Sequence, residues 1–581
     1  MTTENMKLKL TSLTLLMALT AMAQSPVKVN QVGYYPDGPK TAVIEPAAKA
    51  KSFTLKDAHG KTVWRGKAAR TSVSPFDGRE RQVVCFTSVR QPGTYTLSAK
   101  GKRQQVVIAQ HAFADVAAAA VKAFYLQRTA TPILKEYAGD YARPAAHPDD
   151  KVIIHPSAAS PQRPAGTVIA SPGGWYDAGD YNKYIVNSGF TCGLMLENYI
   201  VNKAYYDSMT LNIPETGNDI PDYLDEIMYN LKWMLTMQDP YDGGVYHKLT
   251  TPNFEGFVMP AECHQPRYVV QKSTAAALDF AATMALAARV YAPYPACGQF
   301  CKDAIKAAGK AYAWAVAHPA VAYRQDEMNK RHKPEIVTGA YDDESFTDEF
   351  FWAATELYLT TGEESYLLQA TATMPQRFRV PTWRDVAGIG AMAWLNLEIS
   401  GKKPDGTPCT ERLKNSLKTY CDSVVNAMQT SAFNTPNGNR ADDFCWGSNS
   451  ERCAGMGIAL MYQYALSGEE AYRTAAIATC DYLFGRNATG FCFVTGFGTQ
   501  RVMHPHQRIS AADGLEAPLP GFLAGGPNIG QQDKEHTPPY PSALPDESYL
   551  DHVSSYASNE IAINWNAYLA VLTAWIDASE K

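Results

Sequence analysis

The sequence lacks a basic segment, and its formal net charge is −5 over 581 residues. Phosphate backbones and anionic membrane surfaces are bound by clustered Lys and Arg, so we expect no nucleic-acid or membrane partner. Apart from one run at the N-terminus, no apolar stretch approaches the length of a membrane span. The chain also lacks low-complexity segments and repeats of fixed short period, which argues against a regular solenoid.

A disulfide framework is also lacking. The eleven cysteines are scattered without regular spacing, and their number is odd. Cys297 with Cys301 and Cys445 with Cys453 are close in sequence, but closeness in sequence does not establish a bridge. We expect mostly buried thiols.

The N-terminus carries an export signal. Lys7 and Lys9 precede an apolar run from Leu10 to Ala21, and small residues at Ala21 and Ala23 mark a cleavage site. A buried first helix is the alternative, but the run is short and ends at the cleavage pattern. Residues 1–23 are therefore predicted to be removed, and the mature protein is expected to be soluble and periplasmic or extracellular.

Two hydrophobic patterns divide the rest of the chain. Short β-branched runs punctuated by Gly, Pro and Asp fill residues 25–108 and predict a β-sandwich. From residue 112 to 578, long amphipathic segments alternate with loops rich in Pro, Gly, Asp and aromatics, which predicts a large closed helical domain with functional loops at one end. Helices are predicted at 112–128, 219–238, 273–291, 302–318, 346–361, 412–428, 454–467, 470–484 and 560–579. Strands do not alternate with these helices, which excludes a parallel α/β sheet.

A Gly-containing turn carries two carboxylates, Asp177 and Asp180, three residues apart. Both could simply cap a turn or a helix start. Trp175 and other aromatics crowd around them, and the chain is 11% aromatic. Flat rings that stack on pyranoses, next to carboxylates for acid and base chemistry, are typical of a sugar-binding cleft.

Two further loop clusters carry polar side chains that a simple helical bundle does not need. In residues 494–508, His506 and Arg508 can both donate hydrogen bonds to hydroxyls or to a carboxylate. Read alone, this segment is compatible with a surface loop or, less readily, with a metal site. The third cluster spans residues 549–566.

The third cluster closely resembles glycoside hydrolase family 9. A long spaced signature of that family is met in every term at Tyr549, Asp551, Tyr556, Glu560, Ala562, Asn566 and Ala567. A second signature, around an active-site His, is met at Val494, Thr495, Gly498, Pro505, His506 and Arg508, and Cys492 and Gln500 depart from it. The resemblance extends from Ala112 to the C-terminus, and residues 30–34 resemble the start of the immunoglobulin-like domain found in one branch of the family.

This resemblance implies an immunoglobulin-like sandwich followed by an (α/α)6 barrel that cleaves β-1,4-glucans with inversion. By motif match, Asp180 is the general base, Asp177 helps to hold the water, and Glu560 is the general acid. Asp551 and His506 are expected to join the catalytic site. Arg508 and Tyr556, which belong to the matched motifs, are expected to bind sugar. Trp446 and Trp383 are expected to stack on sugar rings because each lies in a loop beside small or charged residues, and Trp175 because it stands next to the paired aspartates.

The predicted position of Glu560 at a helix start works against its role as an acid. A helix N-terminus favours the ionised carboxylate, whereas a general acid must hold its proton. Burial and the nearby charge of Asp551 are expected to raise the pKa of Glu560 again.

The chemistry requires no cofactor. Some relatives with this domain order bind zinc through Cys and His before the acid motif, but Thr129 and Ala146 occupy the aligned Cys positions and leave only His147. We therefore expect no zinc. Asp348 and Glu349 align with a stretch that holds calcium in some relatives, although an ordinary acidic first helical turn explains them equally well.

The leading function is that of a monomeric endo-acting β-1,4-glucanase on cellulose-like, mixed-linkage or xyloglucan chains. An exo-acting relative that releases cellobiose, glucose or glucosamine is an alternative, because sequence does not show whether loops close one end of the cleft. A non-catalytic glycan-binding protein is disfavoured, because Asp180 and Glu560 are both present.

Overall fold

The structure is a computed structural model that describes residues 25–402 and 408–580. The export signal predicted for residues 1–23 lies outside these ranges. No helix in the described residues is long and apolar enough to cross a membrane. The ten cysteines whose side chains are described are free thiols.

The N-terminal domain is a sandwich of two antiparallel sheets, as predicted. One sheet has the order β1-β2-β6-β5 and the other β4-β3-β7-β8. Its strands are β1 (Val27–Lys28), β2 (Thr41–Ile44), β3 (Phe53–Lys56), β4 (Thr62–Gly66), β5 (Arg70–Val73), β6 (Glu80–Cys85), β7 (Gly93–Ala99) and β8 (Lys102–Ile108). Alternate residues of β3 and β7 face the buried core between the sheets. Strands β1 and β5 were not among the β-branched runs read from the sequence, and the two residues of β1 are too few to show a period.

The second domain is helical. Its helices are α1 (Ala114–Leu126), α2 (Lys135–Ala138), α3 (Ile185–Val201), α4 (Lys203–Ser208), α5 (Asp222–Thr236), α6 (Thr274–Tyr291), α7 (Gly298–Ala317), α8 (Gln325–Arg331), α9 (Thr347–Thr361), α10 (Glu364–Thr373), α11 (Ala387–Ile399), α12 (Pro408–Met428), α13 (Met456–Ser467), α14 (Glu470–Leu483), α15 (Arg508–Ala512), α16 (Tyr556–Asn559) and α17 (Ile563–Ala578).

Inner and outer helices alternate along the chain and form a closed barrel. Helices α3, α6, α9, α11, α13 and α17 form the inner ring, and α17 contacts both α13 and α3, which closes it. Helices α5, α7, α10, α12, α14 and α1 pack outside. This arrangement is the (α/α)6 barrel that the resemblance implied.

Helices α3 and α11 were missed in the sequence. Almost every residue of α3 is buried, and so are ten consecutive residues of α11. Each also carries two glycines, which are weak helix formers, whereas the equally buried α6 is rich in alanine and was predicted.

A small sheet beside the barrel was also not predicted. Its strands are β9 (Val152–Ile154), β10 (Val168–Ile169), β11 (Lys183–Tyr184), β12 (Lys248–Thr250) and β13 (Tyr268–Val269), in the order β10-β9-β13-β12-β11. Strands of two or three residues are too short to show alternation. The sheet matters because β11 begins three residues after Asp180.

Candidate active site

A cleft of about 730 Å³ lies at the end of the barrel where the chain enters the inner helices. Because inner and outer helices alternate, the six inner helices all begin at this end. The site residues stand just before them: Asp177 and Asp180 before α3, Tyr341 before α9, Trp383 before α11, Trp446 before α13 and Glu560 before α17. The cleft is lined by all of these residues together with His506, Arg508 and Tyr556.

The turn that carries Asp177 and Asp180 is pressed against the loop of His506. A Cβ atom at Gly179 would lie 2.1 Å from the main-chain oxygen of His506, so only glycine fits there. The amide of Arg508 donates to the carbonyl of Gly179 at 3.1 Å. The glycine therefore allows two distant loops to meet beneath the carboxylates.

Asp180 has one fixed oxygen and one free oxygen. Its Oδ2 accepts hydrogen bonds from Asn182 Nδ2 at 2.6 Å and from the hydroxyl of Tyr184 at 3.1 Å. Its Oδ1 is buried and has no partner in the described part of the protein. A buried carboxylate oxygen without a partner is costly unless a ligand or water uses it, so this atom suits a base that acts on water.

Asp177 is held on both oxygens. Asn187 Nδ2 donates to Oδ1 at 2.6 Å, and the hydroxyl of Tyr341 donates to Oδ2 at 2.6 Å. Burial and the charge of Asp180 raise the pKa of Asp177 to about 8. Each carboxylate oxygen has a second lone pair, so Asp177 can still accept a hydrogen bond from a water bound to Asp180.

Glu560 lies on an extended segment, which corrects the helix predicted from residue 560. The one-turn helix α16 ends at Asn559, and α17 begins only at Ile563. The carbonyl of Glu560 accepts from the amide of Gly525 at 2.9 Å, and its backbone pairs with that of His506. Glu560 therefore does not lie at the N-terminus of a helix. No helix dipole favours its ionised form, so its position is compatible with a role as general acid.

Burial and the negative charge of Asp180 raise the pKa of Glu560 well above its usual value. Arg508 opposes this shift, and Asp177 adds to it. The prediction that Asp551 supplies the charge was wrong, since the charges that raise the pKa of Glu560 are those of Asp180 and Asp177, which line the same cleft. Glu560 thus keeps its proton at a pH at which an ordinary Glu is ionised.

Asp551 does not line the cleft, but its hydrogen bonds hold together two loops that do. Its carboxylate accepts hydrogen bonds from the amides of Met503 and His504, both at 2.9 Å, and from Asn559 Nδ2 at 3.1 Å. It therefore joins the loop of His506 to the segment that leads into Glu560. The structure supports a positioning role, not the catalytic role predicted for Asp551.

His506 is a neutral side chain that faces the cleft. Its Nδ1 lies 2.6 Å from the carbonyl of Val553, which accepts a hydrogen bond from it. Burial, assisted by the charge of Arg508, lowers the pKa of His506 to about 4. Nε2 is then an acceptor, so the prediction that this imidazole donates to the ligand is wrong, and it can receive a sugar hydroxyl instead.

Arg508 holds two loops together at the cleft wall. Its Nη1 donates to the carbonyl of Gly179 and its Nε donates to that of Glu255, both at 2.8 Å. Its guanidinium carbon lies 5.4 Å from the ring centroids of both Phe254 and Phe257. Two of the N–H groups of Arg508 therefore bond main-chain carbonyls, and only the remaining ones can bind a ligand.

Exposed aromatic faces line the cleft, as predicted for two of the three tryptophans. Trp446 is 45% exposed and packs on Tyr556 with centroids 5.3 Å apart. Trp383 packs edge-on against Tyr341 at 5.0 Å. Trp175 was predicted to bind sugar, but it is fully buried and donates from Nε1 to Glu226 at 2.8 Å. It is a core residue, because its ring is turned towards Phe124 and away from the cleft.

Tyr341 and Asn187 were not predicted as site residues, although they hold both oxygens of Asp177. Tyr341 lies in an acidic, aromatic loop just ahead of a predicted helix, as the recognised residues do, so the same pattern could have found it. Asn187 lies in the buried helix α3, where no sequence signal marked it.

The residues considered as zinc or calcium ligands make hydrogen bonds to other parts of the protein or are buried. Thr129 Oγ1 donates to the carbonyl of Gly173 at 2.8 Å, and His147 Nδ1 lies 2.7 Å from the hydroxyl of Tyr176. Asp348 accepts from the amide of Val386 at 2.9 Å, and Glu349 is buried at the start of α9. Within residues 25–402 and 408–580, no three His, Cys, Asp or Glu side chains are arranged as a metal-binding group.

Comparison with known proteins matches both domains. The family model described as glycosyl hydrolase family 9 matches residues 113–573, and that of the cellulase N-terminal ig-like domain matches residues 22–104. A xyloglucan-specific endo-β-1,4-glucanase of Bacteroides ovatus is 50% identical over 95% of this chain and 94% of its own length. Endoglucanase D of Acetivibrio thermocellus is 34% identical over 94% of this chain and 82% of its own.

Two solved structures show the same arrangement of domains. A family 9 protein from Bacteroides ovatus superposes with a TM-score of 0.91 at 48% identity, over 96% of this chain and 100% of that one. An endoglucanase from Alicyclobacillus acidocaldarius superposes with a TM-score of 0.82 at 31% identity, over 95% and 99%.

Proposed function

The chain belongs to glycosyl hydrolase family 9 and is an endo-β-1,4-glucanase of that family, and we propose that it cleaves xyloglucan with inversion at the anomeric carbon. The observation that supports this mechanism is that the carboxyl groups of Asp180 and Glu560 have different surroundings. Asp180 has a buried oxygen that no described residue hydrogen-bonds, whereas burial and the charge of Asp180 raise the pKa of Glu560 and so keep its proton.

In this mechanism, Asp180 takes a proton from a water molecule that attacks the anomeric carbon. Glu560, on the opposite side of the cleft, gives its proton to the departing glycosidic oxygen. Room for the water requires the two carboxyl groups to be about 6.5–9.5 Å apart, compared with about 5 Å in retaining enzymes. Ionised Asp180 raises the pKa of Glu560, so the base in its active state helps to keep the acid in its active state.

Aromatic residues along the cleft would hold the glucan backbone. Trp446 and Tyr556 offer one platform, and Trp383 offers another on a different loop. Neutral His506 accepts a hydroxyl hydrogen through Nε2. Pyranose rings present apolar faces and hydroxyl edges, so stacking with a few hydrogen bonds is the expected mode of recognition.

Xyloglucan is favoured within the β-1,4-glucans by the similarity to the Bacteroides ovatus enzyme, which spans nearly the whole of both chains. The cleft also has apolar side chains at its rim, since Phe254 is 44% exposed and Val337 is 50% exposed while both line it. These two apolar side chains lie in addition to the aromatic residues that would hold the glucan main chain, and they are available to contact the branches of a substituted glucan.

We expect xyloglucan to be cleaved with a kcat/KM at least about tenfold above that on carboxymethylcellulose, mixed-linkage glucan or unbranched cello-oligosaccharides, because branch contacts add binding in the transition state. Initial rates and products sized over time test this. Large branched fragments should appear first, with a rapid fall in viscosity. Asp180→Asn, purified identically, controls for contaminating glucanases.

Two outcomes would contradict the assignment of substrate and mode. A preference for unbranched chains would remove xyloglucan as the substrate. Release of cellobiose, glucose or glucosamine alone, without a fall in viscosity, would indicate exo action.

A calcium ion is proposed near Asp348 and Glu349. Glu349 and Asp279 are buried, and neither oxygen of either carboxyl group has a partner in the described structure. Burial and the charges of Asp348 and Asp343 raise the pKa of both well above the usual range. Unpaired buried carboxylates suit a hard cation with oxygen ligands, which would neutralise them and stabilise the fold.

Calcium should therefore raise the melting temperature of the chelator-treated protein by a few degrees at saturation. Glu349→Gln and Asp279→Asn should lose this response. Asp546→Asn, which changes a buried carboxyl group elsewhere, should keep it. If calcium leaves the wild-type melting temperature unchanged, these carboxyl groups are structural acids that carry protons.

We also propose that the protein is exported and acts as a monomer. An intact polysaccharide does not cross a membrane, so a glucanase must meet its substrate outside the cytoplasm, consistent with the signal predicted for residues 1–23. The acids Asp177, Asp180 and Glu560 and the aromatic platforms all line one cleft of the barrel, which supports action by a single chain.

A further inference from the structure

Lys248 is a buried cation close to the catalytic turn. It lies on β12 and is completely inaccessible to solvent. Its Nζ donates to Gln325 Oε1 at 2.7 Å, Thr338 Oγ1 at 3.0 Å and the carbonyl of Gly339 at 2.6 Å. No carboxylate of the described residues forms an ion pair with it. Burying an ammonium group without an adjacent anion costs folding free energy, which suggests that Lys248 has a functional role.

A continuous path of hydrogen bonds leads from Lys248 to Asp180. Thr338 Oγ1 lies 2.7 Å from Thr250 Oγ1, which lies 3.1 Å from Asn182 Oδ1. Asn182 Nδ2 then donates to Asp180 Oδ2 at 2.6 Å. Every step is buried. Hydrogen bonds in such a chain polarise one another, most strongly where water is excluded.

The orientation of Asn182 fixes the direction of this path. The amide and hydroxyl groups of Thr251 both donate to Asn182 Oδ1, at 3.0 and 3.3 Å, so the Nδ2 of Asn182 must face Asp180. A second route passes through Tyr184. The Nζ of Lys248 lies 5.5 Å from the centroid of this ring, and the hydroxyl group of Tyr184 donates to Asp180 Oδ2.

Resting on the proposed role of Asp180 as the base, we propose that Lys248 is a positioning residue that keeps Asp180 ionised through the path Thr338, Thr250 and Asn182. Two acids near Asp180 work against its ionised form when they are charged, and the path connects it to a cation on its other side. Burial lowers the pKa of Lys248 well below its usual value, and the charge of Asp180 opposes this shift, so the influence is mutual.

Other charged and titratable groups surround Asp180 and must be considered with Lys248. Asp177 lies on the same turn, and Glu560 lies across the cleft. The guanidinium groups of Arg508 and Arg267 bond the carbonyls of Gly179 and Tyr181 on either side. Neutral His506 and the phenols Tyr184 and Tyr341 complete the surroundings. Among the described residues, Asp180 Oδ2 accepts hydrogen bonds from Asn182 and Tyr184 alone, and both of these side chains lead to Lys248.

The test is the pH profile of kcat/KM for Lys248→Met. Without the cation, ionised Asp180 is less favourable, so the acidic limb should move to higher pH by roughly 1 unit. Lys40→Met is the matched control. Lys40 is equally buried and donates to three carbonyls, but it lies in the sandwich. Both variants should lose stability, and only Lys248→Met should move the limb.

Thr250→Val and Thr250→Ser distinguish the effect of the hydrogen-bond path from an effect of changed packing. Thr250→Val removes the hydroxyl group and should move the acidic limb in the same direction by a smaller amount, whereas Thr250→Ser should restore the wild-type profile. An acidic limb that stays in place in Lys248→Met, while Asp180→Asn is inactive, would overturn the role of Lys248 alone. An active Asp180→Asn variant would overturn the assignment of the base itself.

Discussion

Asp180→Asn and Glu560→Gln should each lower kcat by roughly 10²- to 10⁴-fold while the fold is retained, because each removes one proton transfer from the transition state. Their effects should differ with the substrate. Glu560 protonates the leaving oxygen, so Glu560→Gln should recover most of its rate on an aryl glycoside whose leaving group needs no proton. Asp180 acts on water, so Asp180→Asn should be slow on every substrate.

The stereochemistry of the product provides an independent check. Inversion at a β-linkage gives the α-anomer first, which proton NMR detects before mutarotation. If the β-anomer forms first, the enzyme retains configuration, and Asp180 is not a base that acts through water. If Glu560→Gln is equally slow on substrates with good and poor leaving groups, Glu560 is not the acid.

Glu560→Gln should also affect stability in a direction opposite to its effect on rate. Burial and Asp180 raise the pKa of Glu560, so the native state binds this proton more tightly than the unfolded chain does. Native stability therefore falls as pH rises above the unfolded value of about 4.3 towards the folded one. The variant escapes this loss, and its melting temperature relative to wild type should increase from about pH 5 to about pH 8. A variant that melts lower at every pH would indicate that Glu560 has an unrecognised structural role.

Deleting residues 27–108 should make the barrel aggregate or unfold, because the sandwich covers part of its surface. Tyr35 donates to Asp577 at 2.9 Å and packs in the core of the barrel. Asn30 donates to Asp481 at 2.7 Å. Val43 and Val83 of the sandwich bury Phe433 between them and the barrel. Removing the sandwich would expose this apolar surface and take one hydrogen-bond donor from each of the buried carboxylates Asp481 and Asp577.

Phe433→Ala tests the same interface in the intact protein. Truncating a buried aromatic ring costs about 3–5 kcal/mol, so the melting temperature should fall clearly while kcat of the folded enzyme is unchanged. Lys49→Ala is the control, since it breaks only an exposed ion pair with Glu80 in the sandwich. A truncated barrel that stays soluble, melts at the wild-type temperature and loses only polymer binding would show instead that the sandwich is a binding module.

The success of the helix predictions depended on amphipathic pattern and on composition. Outer helices such as α7 and α14 expose one face to water and showed the alternation that marks a helix. Helices α3 and α11 lie inside the ring and were missed, whereas the equally enclosed α6 was predicted. Two glycines in each of α3 and α11 weaken the helix signal, and the many alanines of α6 strengthen it. The short strands β9 to β13 were missed for another reason, since two or three residues are too few to show a period.

The site was predictable where a signature fixed both the residue and its spacing. Asp177, Asp180, His506 and Glu560 line one cleft, as the resemblance implied. Asp551 was predicted from a signature and Trp175 from its position beside the paired aspartates, but Trp175 lies in the core and Asp551 lies behind the loops. A sequence pattern records that a residue is needed near a site, but it does not record which way its side chain points.

The sequence by itself determined the division into a sandwich and a helical barrel, the family, and the residues that carry the chemistry, because these depend on hydrophobic period, composition and motif spacing. Only the tertiary structure decided what state those residues are in. Burial and the charge of Asp180 raise the pKa of Glu560, and the hydrogen bond to Val553 makes His506 an acceptor. Groups as distant in sequence as Lys248 and Asp180 are joined by buried hydrogen bonds, and such contacts exist only once the chain has closed into a barrel.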